Sequence, residues 1–264
     1  MTKRVLVTGA NGQLGKTIEE LYAINSLGLD FTFASKENLD ITTLDGIDNY
    51  FNQNFFDYCI NCAAYTNVEQ AEKTPDPAYK VNAEGVKNLS EMCLKHQVVL
   101  IHISTDYVFD GEKKEPYTVF DKPNPINEYG KSKLLGEQYI QEILSEYFIV
   151  RTSWLYSKKY GNNFYRNILK KAKQGEKLKI TTDQIGCPTN TENLSRYLLK
   201  LITNKSIYWG VRHFSDDEVM TWYDFTKQIL SGNDLINKVN LVKTGNYITF
   251  AQRPKYSVLK LDKI

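Results

Sequence analysis

The pentapeptide Tyr-Gly-Lys-Ser-Lys at residues 129–133 places a phenol four residues before an ammonium group. Side chains four residues apart lie on one face of a helix, so Tyr129 and Lys133 would be neighbours. A phenol beside an ammonium group can donate a proton to a carbonyl oxygen, because the positive charge lowers the phenol's pKa. The spacing alone is not decisive, since it recurs at Tyr223/Lys227 and Tyr256/Lys260.

Two hydroxyl residues distinguish the first pair from the others. Ser104 and Thr105 end the apolar run "VVLIHIST", which predicts a strand, and Tyr129 follows about one loop later. A strand end of this kind faces the cofactor crevice of an open α/β sheet. We therefore predict a catalytic set of Thr105, Tyr129 and Lys133. Thr105 would hold a carbonyl oxygen, and Tyr129 would protonate it while a nicotinamide delivers hydride to the carbon. The alternative is that Tyr129 only packs its helix against the fold.

A glycine-rich turn near the start of the chain could bind such a cofactor. In "VTGANGQLG", Gly9, Gly12 and Gly15 follow a strand and open a helix. Glycines there permit a tight turn and close approach of a pyrophosphate, whose charge meets the helix N-terminus. The alternative is a tight packing turn without a ligand.

The end of the second strand bears on the type of nicotinamide cofactor. A basic residue there suits the 2′-phosphate of NADP, and an acidic one suits the ribose hydroxyl of NAD. The sequence "ASKENLD" places Lys36 near that position and Asp40 further on. Lys36 is consistent with an NADPH preference and equally with an ordinary surface lysine.

The remaining chain supplies the elements that must position these residues. Apolar runs such as "RVLVTG", "DFTFAS", "FDYCINCAA" and "YFIVRTSW" alternate with helical patterns, among them one helix over "DPAYKVNAEGVKNLSEMCLKH". This order predicts an α/β fold with a doubly wound, Rossmann-like parallel sheet. After about Trp154 the pattern loosens. We predict a cofactor-binding domain over residues 1–154 and a smaller, mainly substrate-binding lobe over residues 155–264.

Composition excludes several other classes of protein. The 264 residues carry a formal net charge of +2 and no dense basic block, which argues against a nucleic-acid partner. No stretch approaches the ~18 apolar residues of a membrane span, and the first residues do not resemble a signal peptide, so we expect a cytoplasmic protein without a membrane partner. Cys59 and Cys62 spell a C-x-x-C motif, but residues three apart on a strand face opposite sides, so we expect no metal or redox site.

Several longer motifs resemble one known family. The segments "GANGQLG", "NCAAYTNVEQAE", "STDYVFDG", "YGKSKLLGE", "RTSWLY", "NNF", "DQIGCPT" and "RPKYSVL" occur in the order seen in the dTDP-4-dehydrorhamnose reductase family. That family belongs to the extended short-chain dehydrogenases/reductases. The resemblance runs from residue 4 to about residue 262. It implies NADPH-dependent reduction of the 4-keto group of dTDP-4-dehydro-L-rhamnose to dTDP-L-rhamnose, with NADH as a possible substitute.

The resemblance also implies roles for individual residues. Tyr129 and Lys133 would serve the cofactor and the chemistry together. The pyrophosphate would contact Gly12, Gln13 and Leu14, the adenine side Asp40 and Ile41, and the nicotinamide-side ribose Ala63, Ala64 and Tyr65. The deoxysugar would contact Thr105, Asp106 and Trp154, with Val68 and Glu69 beside it. From the residues alone, Trp154 is either a sugar-stacking or a core aromatic residue.

Departures from the family pattern leave some properties open. Some members are magnesium-dependent homodimers with a carboxylate in the glycine-turn helix, where this chain has Thr17. A second carboxylate comes from a C-terminal helix that would begin after "RPKYSVLKLDKI", although Glu192 is present. Magnesium and a homodimer therefore stay open. Two other functions also stay open: reduction of a different nucleotide-linked 4-keto-6-deoxysugar, and a non-catalytic NADP-binding regulatory subunit of the methionine adenosyltransferase type.

Overall fold

A computed structural model describes residues 2–22, 28–204, 206–245 and 249–261. The strands are β1 (Lys3–Thr8), β2 (Leu29–Ala34), β3 (Tyr58–Asn61), β4 (Val99–Thr105), β5 (Tyr147–Thr152), β6 (Leu155–Tyr156), β7 (Leu178–Thr181), β8 (Ile185–Gly186), β9 (Thr189–Asn190), β10 (Gly210–His213), β11 (Met220–Thr221) and β12 (Leu241–Thr244). The α-helices are α1 (Gln13–Tyr22), α2 (Leu44–Gln53), α3 (Val68–Lys73), α4 (Asp76–Tyr79), α5 (Gly85–Lys95), α6 (Glu128–Ile143), α7 (Phe164–Lys173), α8 (Thr191–Thr203) and α9 (Trp222–Ser231).

Six strands form one parallel sheet in the order β2-β1-β3-β4-β5-β10. Their central residues are apolar on both sides, as expected for a parallel sheet with helices on each face. Cys59 packs into the core on one face and Cys62 into the core on the other. The predicted doubly wound α/β fold is therefore confirmed, and so is the opposite orientation of these two cysteines.

The second half of the chain contributes to two different cores. Helix α8 packs on α1, and its leucines join the core beneath β1, while β10 pairs with β5 in the main sheet. A separate core forms around α7, α9 and the parallel pair β7/β12. The predicted division at residue 154 stays a prediction, but two elements beyond it belong to the first core. Sequence patterns could not predict that α8 and β10 pack in the first core, because the apolar spacing of a helix or strand does not show which of two cores it joins.

The helix predicted over residues 76–96 is interrupted. A π-helical turn, Lys80–Glu84, joins α4 to α5. It presents the backbone oxygen of Asn82 to α6, where a Cβ added at Gly136 would lie 2.1 Å from that oxygen. The Asn82 side chain accepts a hydrogen bond from Tyr65 N and donates to Tyr65 O and Ser132 Oγ. The π turn thus fixes the helix that carries Tyr129 and Lys133 against the loop after β3.

Within the described residues, no helix combines the length and the apolar character needed to cross a bilayer. The position where a further C-terminal helix would begin lies outside the described residues.

Candidate active site

A cleft of about 580 Å³ opens at the carboxyl ends of β1, β3, β4 and β5, facing the second core. It brings together residues predicted from three separate motifs: the glycine turn, the strand end with Thr105, and the Tyr/Lys helix. The predicted residues that line it are Gly12, Gln13, Leu14, Ala64, Val68, Thr105, Asp106, Tyr129, Lys133 and Trp154.

The three glycines of the turn have different surroundings. Gly9 has φ +62°, and a Cβ there would lie 2.7 Å from Ala63 N, so β1 and the loop after β3 are in close contact at this point. A Cβ at Gly15 would lie 2.7 Å from the Cα of Ala10. Gly12, in contrast, is exposed and lines the cleft at the start of α1. The outer glycines therefore shape the turn, and the central one leaves the helix N-terminus open to an anion.

Gln13 links this turn to the second half of the chain. Its Nε2 donates to Leu155 O at 3.1 Å, and its Oε1 accepts from Ser157 N at 3.2 Å and from Asn163 Nδ2 at 3.0 Å. The oxygen of the amide and one of its two N–H donors are therefore engaged, and the backbone N–H of Gln13 lies at the start of α1.

The residues predicted for the adenosine end lie outside the cleft. Lys36 follows β2, has a side chain that is 76% exposed, and lies 3.8 Å from Asp40 Oδ2. The other carboxylate oxygen of Asp40 accepts hydrogen bonds from Thr42 N and Thr42 Oγ1. Ile41 is buried beneath Gly85. Asp40 is already occupied by local contacts, whereas the ammonium group of Lys36 is accessible.

Helix α6 positions Tyr129 through its first turn. Asn127 caps the helix by accepting a hydrogen bond from Gly130 N at 2.8 Å and donates to Gln252 O. A Cβ at Gly130 would lie 2.2 Å from Tyr107 O, so only glycine allows this approach. Burial raises the pKa of Tyr129 well above its usual value, and a hydrogen bond with Thr105 opposes this rise. The ligand-free site therefore holds Tyr129 as the phenol, the form that can donate a proton.

Lys133 lies one turn further along α6 and is fully buried. Its Nζ donates to Ile103 O at 2.7 Å and lies 3.0 Å from Nε2 of His102. Burial lowers the pKa of Lys133 to about 8, while the carboxylate of Glu137 opposes this change.

Thr105 and Asp106 form a polar pair at the end of β4. Thr105 Oγ1 donates to Asp106 Oδ1 at 3.0 Å and accepts from Tyr107 N at 3.1 Å. Burial raises the pKa of the Asp106 carboxyl to about 6, although hydrogen bonds from Ser257, Thr105 and Ser153 counteract it. The Thr105 hydroxyl has one proton, and it donates that proton to Asp106. To donate to the carbonyl oxygen of a ligand, Thr105 would have to give up its hydrogen bond to Asp106.

Trp154 has an unusual backbone and an occupied ring face. Its φ is +47°, a conformation that bulky residues rarely adopt outside functional or strained sites. Its ring stacks on Trp222 with a centroid distance of 3.6 Å and an interplanar angle of 5°. Trp222 also lines the cleft. A sugar would therefore meet a Trp154/Trp222 pair, and the sequence offered no signal for the second ring.

Three further residues assigned by resemblance do not line the cleft: Tyr65, Glu69 and Ala63, whose backbone packs against Gly9. Glu69 accepts from Arg253 Nη2 at 2.9 Å and from Phe250 N at 3.0 Å, so it anchors the chain after residue 249. Tyr65 bonds to the Asn82 side chain through its backbone, as described above. Arg253, which sequence reasoning did not assign, lies in the cleft lining. The sequence signal that could have assigned Arg253 to the site is its position as the first residue of the motif "RPKYSVL".

Thr17 on α1 belongs to a pair of hydroxyl groups. Thr17 Oγ1 donates to Gln13 O and lies 2.9 Å from Thr191 Oγ1, so a buried hydroxyl pair stands where a carboxylate was considered. Among the described residues, no group of three or more His, Cys, Asp or Glu side chains could hold a metal ion. These contacts do not fit a magnesium site at Thr17.

Comparison with known proteins identifies the family. The model of the RmlD substrate binding domain matches residues 3–264. A dTDP-4-dehydrorhamnose reductase of Aggregatibacter actinomycetemcomitans is 38% identical over 99% of this chain and 92% of that protein. A dTDP-4-keto-6-deoxy-D-glucose reductase of Streptomyces niveus is 34% identical over 99% of this chain and 90% of that protein.

A solved structure agrees with these sequence relatives. The dTDP-4-dehydrorhamnose reductase of Bacillus anthracis strain Ames, in complex with NADP, superposes with a TM-score of 0.94 at 40% identity, covering 99% of this chain and 92% of the other. The chain belongs to the RmlD substrate binding domain family.

Proposed function

We propose that this protein is an NADPH-dependent reductase that converts dTDP-4-dehydro-L-rhamnose to dTDP-L-rhamnose. The observation that carries the proposal is the convergence of Thr105, Tyr129 and Lys133 with the glycine turn in one cleft. Relatives named for this reaction, one of them solved with NADP, support the choice of substrate and cofactor. A homodimer stays open, and a cytoplasmic location stays a prediction.

The residues of the cleft would divide the work as follows. When bound, the reduced nicotinamide supplies a hydride to the ketone carbon. Tyr129 holds its proton in the ligand-free site and donates it to the ketone oxygen as negative charge develops there. Thr105 orients that oxygen through its hydroxyl. An ammonium form of Lys133 on the same helix face would stabilise the phenolate that remains. Trp154 and Trp222 would form the apolar wall against which the sugar ring lies.

A turnover assay with a panel of sugars tests the proposal. Purified protein given dTDP-4-dehydro-L-rhamnose should consume NADPH stoichiometrically and produce dTDP-L-rhamnose, with turnover in the range of about 1 to 10³ per second. The matched control is dTDP-glucose, which has no ketone and should leave NADPH unchanged.

Other outcomes of this assay would correct the proposal. NADPH consumption only with a different 4-keto-6-deoxysugar would keep the chemistry and change the substrate. Tight NADPH binding without consumption on any of these sugars would contradict a reductase and favour the regulatory subunit.

A substitution at Lys36 tests the predicted preference for NADPH. Lys36→Ala should reduce the preference for NADPH over NADH by the ~1.5 to 3 kcal/mol of a charged hydrogen bond, because only NADPH carries a 2′-phosphate. Apparent affinities for both cofactors give the result. Lys87→Ala is a matched control, since Lys87 is also a surface lysine that pairs with an acidic residue four positions later. An equal loss for both cofactors, or none, would make Lys36 an ordinary surface charge.

A further inference from the structure

A buried polar chain extends from Lys133 away from the cleft. Lys133 Nζ lies 3.0 Å from His102 Nε2, and His102 Nδ1 lies 3.0 Å from Asn61 Nδ2. Asn61 Oδ1 in turn lies 2.6 Å from Thr8 Oγ1. All four residues are buried, so each hydrogen-bonding atom must find its partner within the protein.

The orientation of the Asn61 amide is fixed by the backbone. Its Oδ1 accepts a hydrogen bond from Ala63 N at 3.1 Å. A backbone N–H can only donate, so the oxygen of Asn61 must face Ala63 and the amide nitrogen must face His102. The amide nitrogen donates to His102 Nδ1, and this nitrogen therefore carries no proton.

This arrangement determines the tautomer of His102. A neutral imidazole has one N–H, so the proton must be on Nε2. Burial lowers the pKa of His102 well below its usual value, so the ring is neutral. Its Nε2–H points at the Nζ of Lys133.

An ammonium group at Lys133 conflicts with this tautomer. An ammonium has three donors and no acceptor, so it would face the N–H of His102 as a second donor. A neutral amine avoids the conflict, because its lone pair accepts from Nε2–H while one of its protons is donated to Ile103 O. The other titratable groups that face Lys133 are Glu137, which is paired with Arg151, and Cys62 after β3.

We propose that Asn61 and His102 are positioning residues that control the protonation of Lys133, by fixing the Nε2–H tautomer and thereby favouring the neutral amine. Protonation of Lys133 from solvent through the cleft then requires His102 to move its proton to Nδ1 and lose the contact with Asn61. The ligand-free site would thus lose its charge near pH 8, well below the range of an ordinary lysine, and a ligand in the cleft that favours the ammonium group would raise this midpoint. The catalytic consequence rests on the proposed reductase function, but the tautomer and the protonation do not.

The tautomer can be measured directly in the unmodified protein. Above pH 8, where Lys133 is the neutral amine, a long-range ¹H–¹⁵N spectrum of the ligand-free protein should show His102 protonated on Nε2 and unprotonated on Nδ1. The chain has three histidines, and a His102→Gln variant identifies the signal. Protonation of His102 on Nδ1 would overturn the inference whatever the protein's activity.

The effect on Lys133 is tested by titrating its ¹³Cε resonance, identified by its absence in Lys133→Met. In the wild type, this resonance should titrate near pH 8, the value set mainly by burial. Asn61→Asp replaces the donor with an acceptor, which allows Nδ1–H, so the midpoint should rise by about one pH unit or more. His102→Gln tests the same effect without an added charge, because its side-chain oxygen can accept from an ammonium group.

The titration of the Lys133 ¹³Cε resonance also needs a control variant. Ser90→Ala removes a buried hydroxyl on α5 that donates to Val86 O, and it should leave the midpoint unchanged. The alkaline limb of the pH profile of kcat/KM should move upward together with the resonance in both test variants. A wild-type midpoint above pH 10, or the same midpoint in wild type and both variants, would overturn the inference.

Discussion

Replacing Tyr129 with phenylalanine should lower turnover by about 10²- to 10⁴-fold, the usual cost of losing a general acid. The variant keeps the ring, which packs edge-on against Tyr107 with a centroid distance of 5.8 Å, and loses only the hydroxyl that bonds to Thr105. NADPH binding should change little, because the glycine turn is untouched. Stopped-flow or steady-state rates together with cofactor binding measure both effects.

Tyr223→Phe is the matched control for this experiment. Tyr223 also precedes a lysine by four residues, but it lies on α9, and its ring contacts Lys243. The substitution should leave turnover near that of the wild type. Full turnover in Tyr129→Phe, or its loss in Tyr223→Phe, would show that the wrong Tyr/Lys pair had been assigned.

Replacing Arg151 with methionine should lower the free energy of unfolding by about 3 to 5 kcal/mol, because it leaves Glu137 as an unpaired buried charge. The two side chains are 3% and 1% exposed, with Arg151 Nη2 2.6 Å from Glu137 Oε2. Ser104, next to Thr105, also donates to Glu137. Urea denaturation of the variant and the wild type measures the loss.

Two further variants separate burial from pairing as the cause of this loss. Lys95→Ala breaks the Lys95–Asp48 ion pair, which has the same 2.6 Å separation at the surface, and should cost no more than about 1 kcal/mol. Arg151→Met combined with Glu137→Leu removes both charges and should recover much of the stability. A loss for Arg151→Met as small as that for Lys95→Ala would contradict the assignment of Glu137 as a buried charge.

The predictions for the centre of the site came from local patterns. The glycine turn, the hydroxyls that end β4 and the Tyr/Lys spacing are each encoded within a few residues, and a parallel sheet brings the strand ends to one edge. Gly12, Thr105, Tyr129 and Lys133, which these patterns singled out, all line the one cleft. Their catalytic and binding roles stay predictions.

The remaining contacts depend on tertiary packing that local patterns do not encode. Glu69 and Arg253 pair across 184 positions, and Trp222 reaches Trp154 from a different helix. The π turn at Lys80–Glu84 lies within an apolar spacing that a continuous helix would also satisfy. Tertiary packing likewise determines that α8 and β10 join the first core and the main sheet.

The most direct test of the central claim is the transfer of deuterium from NADPH labelled at C4 of the nicotinamide, with each of the two stereoisomeric labels used in turn. With dTDP-4-dehydro-L-rhamnose as substrate, one of the two isomers should place deuterium at C4 of the dTDP-L-rhamnose product, and Tyr129→Phe should slow this transfer by about 10²- to 10⁴-fold. Absence of deuterium from sugar C4 with both isomers, or transfer at the wild-type rate in Tyr129→Phe, would contradict a reductase whose acid is Tyr129.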